Sequence, residues 1–72
     1  MIKANPVEND IYVEMQSGQL CRILARTHNK VSYITIEGVV YEPLIMFEDD
    51  KFYSYLGQAK NELGCLFEVQ DD

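Results

Sequence analysis

The chain has 72 residues, 47% of them apolar, and carries six basic against twelve acidic side chains for a net charge of −6. That length leaves room for one core, and the apolar fraction with only two prolines excludes disorder over most of the chain. The acidic balance speaks against general nucleic-acid binding, whose affinity comes from neutralising phosphates, and fits a basic partner.

Residues 1–9 are polar, include Pro6, and are expected to form a loose leader before a single β-rich domain over 10–70. Asp71 and Asp72 form an acidic tail. No apolar run has the length of a signal peptide or of a bilayer span, so a cytoplasmic location without a membrane is expected. Cys21 and Cys65 then read as reduced, buried thiols.

"IYVEM" (11–15) alternates as a strand does, with Ile11, Val13 and Met15 on one face and Tyr12 and Glu14 on the other. "QSG" reads as a three-residue loop with Gly18 in the left-handed position. That loop sets Val13 against Cys21, Ile11 against Ile23 and Tyr12 against Arg22. The next strand, "LCRILART", buries Cys21, Ile23 and Ala25 and turns Leu20, Arg22, Leu24 and Arg26 outward.

A turn at Asn29-Lys30 leads to "VSYITI". Its pairing puts Ile23 with Ile36 and Ala25 with Ile34 inside, and Arg26 with Tyr33 and Arg22 with Glu37 outside. Glu37-Gly38 makes the next turn and "VVYE" returns as a fourth strand. Pro43 ends that ladder or marks an edge, since it donates no hydrogen bond. "LIMF" (44–47) is expected to resume as a strand.

Phe52, Tyr55, Leu56, Ala59 and Leu63 recur at helical spacing, which favours a helix over at least 57–63. Residues 50–56 form either its first turns or a fifth strand. "CLFEV" (65–69) alternates and is expected to close the sheet.

Short strands separated by turns every eight to twelve residues point to a mainly β fold at the α+β border. The expected architecture is a small curled antiparallel sheet of about five strands, with one short helix before the last. That order of hairpins looks like an SH3-like, partly open barrel over residues 11–69. The resemblance is one of architecture, and SH3-like barrels host many functions.

Catalytic signatures are missing from the sequence. His28, the one histidine, sits in the turn "THNK" beside neither cysteine. Cys21, His28 and Cys65 supply three zinc-type ligands with no close pair, where a structural site needs four. "EDD" (48–50) does not match a calcium loop. The glycines at 18, 38, 57 and 64 are isolated, so no phosphate loop is present. No enzyme, metal site or cofactor is expected.

Charge is unevenly spread. Residues 15–36 hold Arg22, Arg26 and Lys30 and no acid, while Lys3, Lys51 and Lys60 face all twelve acids elsewhere. The expected outward face of the first three strands carries Tyr12, Glu14, Leu20, Arg22, Leu24, Arg26, Tyr33 and Thr35. Two readings of it stay open: a binding surface, or a face covered by the C-terminal half with arginines reaching past to water. Glu48, Asp49, Asp50, Glu62 and Glu68 form the candidate acidic surface.

The expected function is a non-catalytic protein-binding module or inhibitor of the kind made by bacteriophages and mobile elements. Its acidic surface would engage a basic or nucleic-acid-binding protein as a DNA mimic does. One alternative is a small nucleic-acid-binding barrel using Arg22, Arg26, Lys30, Tyr12 and Tyr33. Another is a small-ligand-binding homo-oligomer. A core of this size supplies only about 3–5 kcal/mol, so a homodimer is a natural source of further stability.

Overall fold

The computed structural model describes residues 5–60 and 66–70, with the backbone alone at 49 and 50. Five antiparallel strands form one sheet: β1 (Asp10–Glu14), β2 (Leu20–Arg26), β3 (Lys30–Thr35), β4 (Gly38–Pro43) and β5 (Tyr53–Gln58). Their spatial order is β4-β3-β2-β1-β5, so the first four meander and the fifth returns beside the first. The sheet is curled and does not close; β4 and β5 are its edges.

The short helix before the last strand is a 3-10 helix at Leu44–Asp50, where a resumed strand is expected from "LIMF". Pro43 precedes it with φ −61° and ψ 143°, which breaks the ladder and releases the chain from the sheet edge. The Leu44 amide donates to the Asn29 carbonyl at 2.9 Å, holding the helix start against the β2–β3 turn. The helix expected over 57–63 is corrected: Gly57 and Gln58 belong to β5, Ala59 bridges Val69, and 61–63 lie outside the described residues.

Tight curling follows from the core. In strand order Tyr33 of β3 and Tyr53 of β5 are three spacings apart, about 14 Å on a flat sheet. Their ring centroids are 5.8 Å apart and their hydroxyls share a 2.8 Å hydrogen bond. Phe47 fills the hollow this leaves. It stacks on Tyr53 at 4.2 Å and 9°, and meets Tyr12 and Tyr33 edge-on at 5.1 and 5.9 Å. Cys21, Ile23 and Val31 complete the cluster from the sheet.

The opposite face has a smaller covered area. Ile11 and Pro6 are fully buried, although neither belongs to the aromatic cluster. Segment 5–9, expected as part of a loose leader, packs here. The Asn9 amide donates to the Ile23 carbonyl, and the Ala59 amide donates to the Asn9 carbonyl. The C-terminal segment 66–70 joins them through the Ala59–Val69 bridge. β1 is thereby covered on both sides, with Ile11 and Tyr12 buried in succession.

Four changes of loop and register separate this sheet from the expected one. The β1–β2 loop has four residues, Met15–Gly18, because the Glu14 amide donates to the Gln19 carbonyl; Gly18 takes φ +77°. Tyr12 therefore lies opposite Cys21, and Ile11 opposite Arg22. A slip of one residue exchanges the faces of a whole strand. In β2 a bulge between Ile23 and Ala25 sets Ile23 against Tyr33 but Ala25 against Ser32.

The two later turns also sit one residue earlier than expected. The Thr27 amide donates to the Lys30 carbonyl, making His28-Asn29 the β2–β3 turn. Thr35 pairs with Gly38, making Ile36-Glu37 the β3–β4 turn. Ile36 is consequently 82% exposed at a loop tip rather than internal, and Ala25 is exposed.

Candidate functional site

An antiparallel meander sends alternate turns to opposite ends of the sheet. The β1–β2 loop and the β3–β4 turn share one end, and the β2–β3 turn occupies the other. The acid-free stretch 15–36 starts and finishes at the first end, so the flanking Glu14 and Glu37 both lie there. Arg26, His28 and Lys30 go to the second end. Over residues 14–37 charge is thus separated along the strand direction.

At the acidic end the two loops enclose a groove lined by Glu14, Ser17, Gly18, Gln19, Leu20, Ile36 and Glu37. Local hydrogen bonds hold its walls. The Ser17 hydroxyl donates to Glu14 Oε1 and accepts from the Gln19 amide, fixing the carboxylate against its own loop. On the other wall the Glu37 amide donates to Thr35 Oγ1, which itself donates to the Gly38 carbonyl. Thr35 is buried, and that pins the Ile36-Glu37 tip. Two carboxylates beside exposed Ile36 and half-buried Leu20 give a site for a cation with an aliphatic neighbour.

At the basic end a smaller concavity is lined by Ala25, Arg26, Thr27, Lys30, Val31, Ser32 and Tyr41. Tyr41, in β4, is 73% exposed. This is where an arginine, a lysine and an accessible tyrosine come together. The sequence assigns Tyr41 no role; its place here follows from Ala25 pairing with Ser32, where Ile34 is expected, and Ser32 pairing with Tyr41.

The expected Arg/Tyr face is not assembled. Tyr12 and Tyr33 are core residues, 5% and 4% exposed, and Thr35 is buried with them. Across the bulge Arg22 faces Ile34 while Arg26 faces Val31, and these β3 residues point to opposite sides. Arg22 donates to Asn9 Oδ1 at 3.0 and 3.3 Å and to the Leu66 carbonyl at 3.4 Å. Arg26 donates to Asn5 Oδ1 at 2.7 Å. Both arginines therefore clasp the packed N-terminal segment. Leu20 is half-buried and Leu24 exposed. Of the two readings left open, cover by the chain's own ends accounts for the Arg22 side.

The expected acidic surface is partly visible. Glu48 is half-buried in the 3-10 helix, and Glu68 pairs with Lys60 at 2.7 Å. Asp49 and Asp50 lie on that helix, and Glu62 falls outside the described residues. Glu14 and Glu37 were legible only by counting turns, since their meeting depends on which loops share an end.

The nucleophile candidates are poorly placed for chemistry. Burial, with smaller contributions from Glu14 and Glu42, pushes the Cys21 thiol up to about 12, so it is protonated at neutral pH. Burial also raises Tyr33 and Tyr53 above the ordinary phenol range, and the Tyr33 hydroxyl reaches Glu42 Oε1 at 3.5 Å. His28 is exposed at its turn. Among the described residues no group of three His, Cys, Asp or Glu side chains is arranged to hold a metal ion, and no helix is long and apolar enough to cross a membrane. Cys65 lies outside the described residues. Neither a family model nor a curated protein nor a solved structure matches this chain.

Proposed function

We propose that this chain is a non-catalytic module that binds a basic segment of another protein, in the cytoplasm, through the groove between its first and third hairpin loops. The observation that carries this reading is the pairing of Glu14 and Glu37 across a cleft with accessible aliphatic lining. Carboxylates held beside apolar surface attract a lysine or arginine by charge and retain its alkyl stem by burial. On a chain of net charge −6 the long-range field favours the same partner. Where that partner is a nucleic-acid-binding protein, the carboxylates occupy the role of phosphates, and the module acts as an inhibitor. A bacteriophage or mobile-element product of this size fits such a role.

The test is fluorescence anisotropy with labelled Arg/Lys-rich peptides that contain leucine or isoleucine. Binding is expected to weaken at least tenfold in Glu14→Gln with Glu37→Gln, and to weaken steadily as salt rises. Binding that ignores both changes overturns the proposal. The concavity around Arg26, Lys30 and Tyr41 supports a second reading, a single-stranded nucleic-acid platform. Tight binding of single-stranded RNA or DNA at low salt, abolished by Arg26→Ala with Lys30→Ala, would promote it over the first.

A further inference from the structure

We infer that two copies of this chain pair through β4, edge to edge and antiparallel, to form one continuous sheet.

The two edges of the sheet differ in how they are protected. The C-terminal segment runs along the end of β5, where the Gln70 amide donates to the Gln58 carbonyl at 2.7 Å and Ala59 bridges Val69. Along β4, every second residue turns its amide and carbonyl away from β3. Sheet edges are ordinarily blunted by lysine, bulges or inward-pointing charge. β4 has an unbroken register with β3 from Gly38 to Pro43; its blunting residues are Pro43, at its end, and the inward-pointing Glu42, and Val39 to Tyr41 carry none. Its convex side presents Val39, 50% exposed, and Tyr41, 73% exposed.

Charge selects a second copy as the occupant. Two chains of net charge −6 repel over most approaches. The exposed side chains of β4 between Gly38 and Pro43 carry no carboxylate on the convex face, and Glu42 points inward toward Tyr33. Antiparallel pairing also reverses the charge separation along the strands. The acidic loop end of each copy comes beside the basic turn end of the other, with Glu37 of one copy near Pro43 of its partner. Lys30 sits directly across from that proline.

The strand is self-complementary about Val40. With Val40 on the two-fold axis, Val39 of each copy lies opposite Tyr41 of the other, a β-branched–aromatic pair formed twice. The contact is smaller than the roughly 800 Å² per partner of a standard interface, which sets it among weak, concentration-dependent dimers. Its strand contact is separate from the groove, since neither Val39 nor Tyr41 lines it, although Glu37 takes part in both.

Sedimentation equilibrium of the full chain, from about 1 µM to about 1 mM, is the test. The apparent mass should climb from 8.3 kDa toward twice that value. Val39→Lys and Tyr41→Lys should each weaken association at least tenfold with unchanged circular dichroism, while Leu56→Lys on β5 leaves it intact. In the unsubstituted chain, amide exchange in β4 should slow with concentration and that in β5 should not. One mass throughout overturns the inference. So does association that survives both β4 substitutions, or exchange in β4 that ignores concentration.

Discussion

The two faces of this sheet are built on different principles. The concave face is filled by interlocking rings, Tyr12, Tyr33, Phe47 and Tyr53, contributed by three strands and the 3-10 helix. The convex face relies on the chain's own ends. At β1 and β5 it is closed by Pro6, Asn9 and the 66–70 segment, while at β3 and β4 Ser32, Ile34, Val39 and Tyr41 remain uncovered to different degrees. A chain this short has enough large side chains for one true core. Its second face is therefore part clasp and part interaction surface.

If stability is concentrated on the concave side, Phe47→Ala should do the most damage. It removes the ring that contacts Tyr12, Tyr33 and Tyr53, and core Phe→Ala changes cost about 3–5 kcal/mol. A domain of this size has little more than that to lose, so urea titration should find the variant largely unfolded. A loss below about 1 kcal/mol would dissolve the contrast between the faces.

Gly57→Ala probes the convex clasp. Gly57 has φ +145°, and a Cβ there would lie 2.7 Å from Val69 Cγ1. Strained backbone together with the clash should cost about 1–3 kcal/mol. Adding Val69→Ala should restore the steric part alone. Full restoration would show that the backbone geometry contributes nothing.

Tyr33→Phe should cost about 1–3 kcal/mol by stripping the Tyr53 hydroxyl of its partner. The same region sets the alkaline limit. Folding raises Cys21 from 9.0 to about 12, and raises Tyr33 and Tyr53 above their ordinary 10.0. The folded state thus holds protons that the unfolded chain has already released. Stability should be level below about pH 9 and fall between about 9 and 12, by up to about 1.4 kcal/mol per unit for each group. Cys21→Ser should delay the onset by about one pH unit; an unchanged profile would remove the thiol from the account.

Smaller effects belong to the convex side. Arg22→Ala should cost about 1 kcal/mol through its lost hydrogen bonds to Asn9 and the Leu66 carbonyl, read as faster amide exchange at Asn9 and Ala59. Val39→Thr at the bare end should change thermal stability by less than about 0.5 kcal/mol. A larger loss from Val39→Thr than from Arg22→Ala would reverse the assignment of which end is clasped.

Much of the fold is readable along the chain. Alternation marks the first four strands, and the burial of Cys21 and Ile23 follows from it. Proline at 43 marks the exit from the sheet. Faces are another matter. The spacing of "IYVEM" fits Ile11 inward as well as Tyr12 inward, and the four-residue loop settles the choice by letting Glu14 pair with Gln19. The bulge after Ile23 leaves no local mark. Helical spacing in 52–59 misleads because Gly57, a poor helix residue, serves a strand irregularity opposite Ile11 and Tyr12.

Composition and local pattern alone determined a one-domain, acidic, mainly β chain whose charges are unevenly spread along its length. Only tertiary structure decided that Tyr12 and Tyr33 are interior, that the arginines hold the N-terminal segment, and that Glu14 and Glu37 share a groove. The reason is geometric. Strand propensity acts over neighbouring residues, whereas the side a strand presents depends on loop length and bulges, and one residue more or less reverses it.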